Sequence, residues 1–280
     1  MVVNLIFLVI AAIATGVIYL AAEGLSLWWL LPVFLGAFVG AVILFLLLLY
    51  LFSILFLSQR KKVEKPKAGC AYMIWLVMYW VMSLCRVRVK LVGKELLPDE
   101  PCVLVSNHIS DFDPMTMLAV LRGRKIAYIS KEANFKIPIV GNFIHHAGFL
   151  AIDRGNGMRA LRTLKQAAEM IKAGSVDIMG IYPEGTRSKN GELLRFKAGA
   201  FILAKRAEAP VVVMTTKGTN ALTKNFPFRS TQVELKILSV IEKETVASLQ
   251  QEEISAMVRE MIERELGRGS SATEKEAPQS

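Results

Sequence analysis

The chain has 280 residues, 53% of them hydrophobic, with a mean hydropathy of +0.42 and a net charge of +10. That length suits one membrane-anchoring segment and one globular domain rather than a string of domains. The basic balance fits an anionic lipid surface or anionic substrates, while nucleic acid is set aside because no nucleic-acid module is recognisable.

The apolar excess lies at one end: Glu23 is the only charged residue before Ser58. Residues Leu5–Ala22 form an uncharged run, long enough to cross a hydrocarbon core of about 30 Å as a helix. Met1–Asn4 lacks the basic start of a signal peptide. A second apolar stretch, from Leu27 to Leu57, is interrupted by Pro32, Gly36 and Gly40, and predicts a second helix over Pro32–Leu57. The short connection at Glu23–Ser26 makes residues 1–57 a two-span transmembrane hairpin. The run SQRKKVEKPK follows, with Arg60, Lys61, Lys62, Lys65 and Lys67. By the positive-inside rule it is cytoplasmic. The expectation is therefore an integral membrane protein with its remaining domain on the cytoplasmic face.

Residues 58–84 read as a basic linker and an apolar helix. Its core, Ala71–Leu84, is short for a span and rich in Trp, Tyr and Met, which suits the membrane interface; a buried domain helix is the alternative. From Cys85 to Gly267 the pattern alternates between strand and helix, an α/β domain. Strands are predicted at Arg86–Leu91, Cys102–Ser106, Ile126–Ser130, Phe149–Ile152, Ile178–Tyr182, Val211–Thr215 and Val233–Val240. Helices are predicted at Met158–Ala173, ended by Gly174, at Ala198–Arg206, and as one amphipathic helix over Val246–Leu266. Residues 268–280 read as a disordered tail.

Cys70, Cys85 and Cys102 show neither a CxxC spacing nor a close histidine, which disfavours a disulfide framework or a structural zinc site. They are expected as reduced thiols packed like small hydrophobes. The histidines are His108, His145 and His146, a short list of candidates for a general base.

The apolar strand CVLVS runs straight into Asn107-His108-Ile109-Ser110-Asp111-Phe112-Asp113-Pro114. Polar clusters at the carboxyl ends of buried strands are where α/β folds carry their sites. Asp113 before Pro114 can be a helix N-cap. Alternatively, across a strand–turn–helix junction, its carboxylate can reach His108 and fix the tautomer, freeing the other ring nitrogen to take a proton. A second cluster, Tyr182-Pro183-Glu184-Gly185-Thr186-Arg187-Ser188, follows another apolar strand. Its turn residues explain the backbone, and Arg187 offers a planar donor fork for phosphate. Lys131 and Arg154 also stand at predicted strand ends, so three cations could meet one anionic group.

Asn107-His108-x4-Asp113, Lys131…Pro138…Gly141, Ile152-Asp153-Arg154, Tyr182-Pro183-Glu184-Gly185-Thr186-Arg187 and Ala209-Pro210-Val211, in that order, resemble the motif set of the 1-acylglycerol-3-phosphate (lysophosphatidate) acyltransferases. The resemblance covers Arg86 to about Val240. It implies a mixed sheet with flanking helices, of the glycerolipid acyltransferase kind. It implies transfer of an acyl chain from acyl-CoA or acyl-carrier protein to the sn-2 hydroxyl of lysophosphatidate, giving phosphatidate for phospholipid biosynthesis, with no bound cofactor and no metal. His108 and Asp113 would be the catalytic pair. Lys131, Arg154, Glu184, Gly185, Thr186 and Arg187 would bind substrate, Arg187 foremost at the phosphate. Tyr182 stands where that family commonly has Phe. Other acceptors, such as glycerol-3-phosphate or another lysophospholipid, stay open.

Three rival chemistries remain from the residues alone. Ser106 or Ser110 could act as a nucleophile beside His108, although no GxSxG elbow is present. His108, Asp111 and Asp113 with His145 or His146 could hold a metal for hydrolysis, although adjacent histidines lack the usual ligand spacing. A non-catalytic lipid-binding protein is the third, for which a complete His–Asp pair would be surplus.

Overall fold

The computed structural model describes residues 2–22, 26–57, 65–188 and 190–267. The expected connection at 23–25, most of the basic run (58–64) and the tail (268–280) lie outside the described residues. The chain divides into two compact units, Met1–Lys61 and Lys62–Ser280.

The first unit holds helix α1 (Val2–Ala21), one 3-10 turn at Leu27–Trp29, and helix α2 (Leu30–Phe56). α2 starts before the expected Pro32. That proline falls in the first turn, where its missing N–H would have no intrahelical partner anyway. Phe7 of α1 lies edge-on to Phe38 and Phe45 of α2, at 6.3 and 5.5 Å between centroids. Leu27–Phe56 is long and apolar enough to cross a membrane by length and composition, whereas the apolar stretch of α1, Leu5–Ala21, is shorter.

The second unit opens with α3 (Ala68–Leu84) and β1 (Val87–Val92). It continues through β2 (Cys102–Ser106), α4 (Asp113–Val120), β3 (Ile126–Lys131), α5 (Glu132–Phe135) and α6 (Val140–His146). Then come β4 (Leu150–Ile152), α7 (Gly157–Lys172), β5 (Ile178–Ile181) and α8 (Ile202–Ala207). β6 (Val211–Lys217), α9 (Leu222–Asn225), β7 (Thr231–Ile241), α10 (Lys243–Ser248) and α11 (Gln251–Glu265) complete it.

The strands form one sheet in the order β1-β7-β6-β2-β5-β3-β4. β6 and β7 pair antiparallel and every other neighbouring pair is parallel, so the sheet is mixed. The central strands β2 and β5 are buried at every position, and β6 at all but its last. α7 packs against β4 and β5, α8 against β2, and α11 against β6. A strand covered on both faces reads as an unbroken apolar run, which explains CVLVS, IMGI and VVVM. Edge strand β1 alternates instead, with Arg88 and Lys90 turned to solvent. Cys102 packs inside β2, where burial pushes its thiol up to about 12.

α3 buries Cys70, Ile74 and Met82 and contacts α4 and α6, while Tyr72 and Tyr79 are exposed. The Trp75 indole N–H donates to the Ala119 carbonyl at 3.2 Å, and the Arg122 guanidinium lies 4.7 Å over its ring. The helix thus has a domain face and an open aromatic face.

Two helices depart from expectation. The stretch Val246–Leu266 is two helices, because Gln250 starts a new one. Its side chain accepts from the Glu253 N–H, and its own N–H donates to the Glu253 carboxylate at 2.6 Å. The stretch Ala198–Arg206 likewise begins as a 3-10 turn, Ala198–Phe201, before α8.

Candidate active site

β2, β5 and β6 run parallel and adjacent, so their carboxyl ends open at one edge of the sheet. There the loops after Ser106, Ile181 and Lys217 meet. Asn107 ties the first of them to the last residues of β6, just ahead of another. Its side-chain N–H donates to the Thr216 carbonyl at 3.0 Å and its side-chain oxygen accepts from the Thr216 N–H at 2.8 Å. The next residue is clamped to the third: the His108 N–H donates to Glu184 Oε1 at 2.7 Å, and the His108 carbonyl accepts from the Ser188 N–H at 2.9 Å.

The His108 side chain then turns to Asp113, with Nδ1 2.8 Å from Oδ2. The same oxygen accepts the N–H groups of Ile109 at 2.8 Å and Ser110 at 2.9 Å, and Oδ1 accepts the Thr219 hydroxyl at 2.5 Å. Asp113 is 1% exposed, so this set of donors replaces the water that a buried carboxylate would otherwise miss. The expected N-cap at Asp113 is corrected: the cap position falls on Phe112, no side chain caps α4, and the carboxylate folds back onto its own loop. A carboxylate can only accept, so Nδ1 carries the hydrogen and Nε2 keeps a lone pair able to take a proton.

The imidazole lies flat on Tyr182, with 4.1 Å between centroids and 13° between planes. Tyr182 stacks in turn on Tyr128, at 5.7 Å and 11°. Burial raises the phenols of Tyr182 and Tyr128 above their ordinary values, so both stay protonated.

Glu184 differs from its expected role at the substrate. It is buried, its Oε1 is taken by His108, and its Oε2 accepts the Leu194 N–H at 3.0 Å. Burial pushes this carboxyl up, and the two backbone donors offset only part of the shift. It ties the His108 loop to the segment after β5. Gly185 adopts φ +70°, and its N–H donates to the Tyr182 carbonyl at 3.0 Å. Thr186 and Arg187 are exposed. The Arg187 guanidinium pairs with Asp111 at 2.7 Å, which brings it to the loop that carries His108.

Sequence reasoning missed Thr219, Thr216 and Lys197. The Lys197 N–H donates to the Pro183 carbonyl at 2.9 Å. Its Cε and Nζ lie 3.1 Å from where a side chain on Gly185 would begin, so the lysine tip packs closely over the turn. Among the described residues Lys197 forms no ion pair within 4.0 Å. An exposed lysine following a hydrophobic residue carries no local signal of this placement.

Lys131 ends β3 and Arg154 lies just past β4, on the same edge of the sheet. β3 and β4 are two and three strands from β2, or about 10 and 14 Å at the usual strand spacing. Arg187 is tied to the His108 loop by an ion pair, while among the described residues no ion pair joins Lys131 or Arg154 to that loop. Partial burial draws Arg154 below the ordinary guanidinium value. Gly141 is structural: a side chain there would begin 2.0 Å from the Phe135 carbonyl oxygen.

The rival chemistries find less support. Ser106 Oγ lies 3.2 Å from Thr216 Oγ1, on the β6 side, and Ser110 Oγ accepts the Phe112 N–H at 3.2 Å. Among the described residues neither serine hydroxyl is hydrogen-bonded to the His108 ring. His145 and His146 sit on α6, their rings 5.3 Å apart. Among the described residues no three His, Cys, Asp or Glu side chains are grouped to hold a metal.

A family model described as Acyltransferase matches residues 88–217. A chloroplastic 1-acyl-sn-glycerol-3-phosphate acyltransferase of Brassica napus is 34% identical over 192 residues, covering 67% of this chain and 53% of that protein. The human 1-acyl-sn-glycerol-3-phosphate acyltransferase beta is 35% identical over 150 residues, 53% of each chain. The chain thus spans about half the length of these curated relatives. A crystal structure of the 1-acyl-sn-glycerophosphate (LPA) acyltransferase PlsC from Thermotoga maritima superposes with a TM-score of 0.59 at 25% identity, covering 86% of this chain and 91% of that one. The matched stretch contains His108, Asp113 and all four cations of the sheet edge, so that residues 88–217 form an Acyltransferase domain within the chain.

Proposed function

We propose that the chain is a 1-acyl-sn-glycerol-3-phosphate acyltransferase, moving an acyl chain from acyl-CoA or acyl-carrier protein to the sn-2 hydroxyl of lysophosphatidate. The observation that carries this reading is the His108–Asp113 pair: a short Nδ1···Oδ2 hydrogen bond at 2.8 Å, on a carboxylate locked by three further donors. Nε2 of His108 takes the proton of the acceptor hydroxyl as its oxygen attacks the thioester carbonyl. Asp113 balances the imidazolium that forms. The tetrahedral adduct collapses by breaking the C–S bond, and the departing thiolate takes the proton from His108. No step requires a metal, a bound cofactor or an acyl-enzyme.

The acceptor phosphate is assigned to Arg187 and Lys197, which flank the turn after β5, with Lys131 and Arg154 further along the edge. Arg187 already pairs with one carboxylate, that of Asp111, at 2.7 Å, and its planar fork suits a phosphate as well. The apolar helix Leu27–Phe56 supports residence in a membrane, where the acceptor is found. The domain is assigned to the cytoplasmic face on the basic run after Leu57.

The test is a panel assay of the detergent-purified chain and its His108→Ala variant. Acceptors would be lysophosphatidate, glycerol-3-phosphate and lysophosphatidylcholine, each with acyl-CoA and with acyl-carrier protein. Lysophosphatidate should be used best, and the variant should lose roughly 10²- to 10⁴-fold in turnover. Unimpaired transfer by His108→Ala would remove the mechanism, and a preference for glycerol-3-phosphate would move the acceptor.

A further inference from the structure

One hydrogen bond does not orient an imidazole. The second side-chain torsion of histidine is broad, so a ring held only through Nδ1 can tilt and carry Nε2 away from the acceptor hydroxyl. In this chain the face of the ring is also held. Tyr182 lies parallel to it at 4.1 Å, and Tyr128 lies parallel to Tyr182 at 5.7 Å. Phe149 closes the row, 6.0 Å from Tyr128 and tilted by 40°.

The sheet explains how such a row can exist. Tyr128 of β3 stands opposite Gly180 of β5. A side chain at position 180 would begin 2.2 Å from the Tyr128 ring, so the ring lies across β5 in the space that glycine leaves. Tyr182 is two residues further along the same chain direction, hence on the same face as Gly180. A phenol lying over Gly180 therefore meets the next side chain of that face, and that side chain meets His108.

We infer that Phe149, Tyr128 and Tyr182 form an aromatic column, admitted by Gly180, that positions the His108 ring from its face. Tyr182 is the positioning residue in contact with the imidazole. The ring, not its hydroxyl, does this work. It limits tilt, and its π face favours the imidazolium formed when Nε2 takes the proton. The column acts on the chemical step and leaves acceptor binding to the cations.

The inference rests on His108 being the base, so its test has an arm that does not depend on activity. With three histidines in the chain, isotope-labelled histidine gives few ring signals, and His108→Ala identifies the one that matters. The His108 ring protons should show an upfield ring-current shift in the unaltered chain and in Tyr182→Phe, and lose it in Tyr182→Leu. In kinetics Tyr182→Leu should lose roughly 10- to 100-fold in kcat through misplacement of Nε2, with the acceptor KM nearly unchanged. Tyr182→Phe should stay close to the unaltered enzyme. Tyr182→Met, flexible and of similar length, serves if the leucine variant fails to fold. A normal kcat in Tyr182→Leu, or equal losses in the Phe and Leu variants, overturns the column even if His108→Ala is inactive. An active His108→Ala variant overturns the base assignment instead, and the ring-current shift still reports whether the stack exists.

Discussion

Asp113 is 1% exposed and accepts four hydrogen bonds, whereas Arg187, on the facing loop, keeps 48% of its side chain exposed and makes one ion pair. Both lie at the carboxyl edge of the same sheet. The corner around His108 is tied to β2, β5 and β6 at once, through Asn107, Glu184 and Thr219. The rim is made of long cationic side chains, Arg187 and Lys197 on the segment after β5, Lys131 at the end of β3 and Arg154 just past β4. Proton transfer tolerates little error in position, so its groups must be held before substrate arrives. A phosphate can be met by flexible charges that stay hydrated until it binds. The comparison predicts that corner substitutions lower turnover and rim substitutions raise the acceptor KM.

Asp113→Asn tests the corner with the largest expected effect. The amide oxygen can take the place of Oδ2 and its three donors. The amide N–H then faces Thr219, whose hydroxyl can accept as readily as donate. The loop should therefore survive, with thermal unfolding close to that of the unaltered chain. What disappears is the negative charge beside the imidazolium, and kcat should fall by roughly 10²- to 10⁴-fold. An Asp113→Asn protein with full turnover would reduce the corner to a structural loop and erase the contrast with the rim.

Lys197→Ala tests the rim. Its ammonium is exposed and lies against Gly185, so its removal should leave the corner and kcat nearly intact. The acceptor KM should rise by about 3- to 10-fold, a charge-assisted contact discounted for solvent exposure, while the acyl-donor KM stays level. Lys197→Arg should recover part of the loss. An equal rise in both KM values would make Lys197 a general surface charge, and a fall in kcat alone would assign it to the corner.

The same contrast governs what could be read without coordinates. His108 and Asp113 lie five residues apart, and a strand–turn–helix junction was enough to suggest that they meet. The partners that lock them come from far away in the chain: Thr219 is 106 residues from Asp113, and Thr216 is 109 from Asn107. Those contacts follow from β2 pairing with β6, a register that no local periodicity encodes. β2 itself was legible to the residue because burial on both faces leaves an unbroken apolar run. β7 was legible as a strand, but its antiparallel pairing with β6 was not. Glu184 shows a different limit. A motif names the residue but not the direction of its side chain, and both oxygens point at backbone N–H groups. The break between α10 and α11 was readable, in the Gln250…Glu253 spacing, but a continuous amphipathic stripe obscured it.

The smallest expected effect is the sharpest test of the rim. Asp111 and Arg187 form an exposed pair at 2.7 Å, with 57% and 48% of their side chains open to solvent. Such pairs contribute about 0–1 kcal/mol. An acceptor phosphate that takes the Arg187 fork must displace Asp111 first. Asp111→Asn should therefore lower the acceptor KM, by at most about fivefold. The gain should shrink as salt is raised, because exposed charges are screened. Turnover should not change, since the Asp111 side chain is paired with Arg187 rather than with the His108 ring or Asp113. The opposite result, a raised acceptor KM in Asp111→Asn, would mean that Asp111 holds Arg187 in its binding pose. The rim would then be built like the corner, with its cation fixed in advance by a carboxylate, and the division between a rigid base and a loose anion site would fail at Arg187.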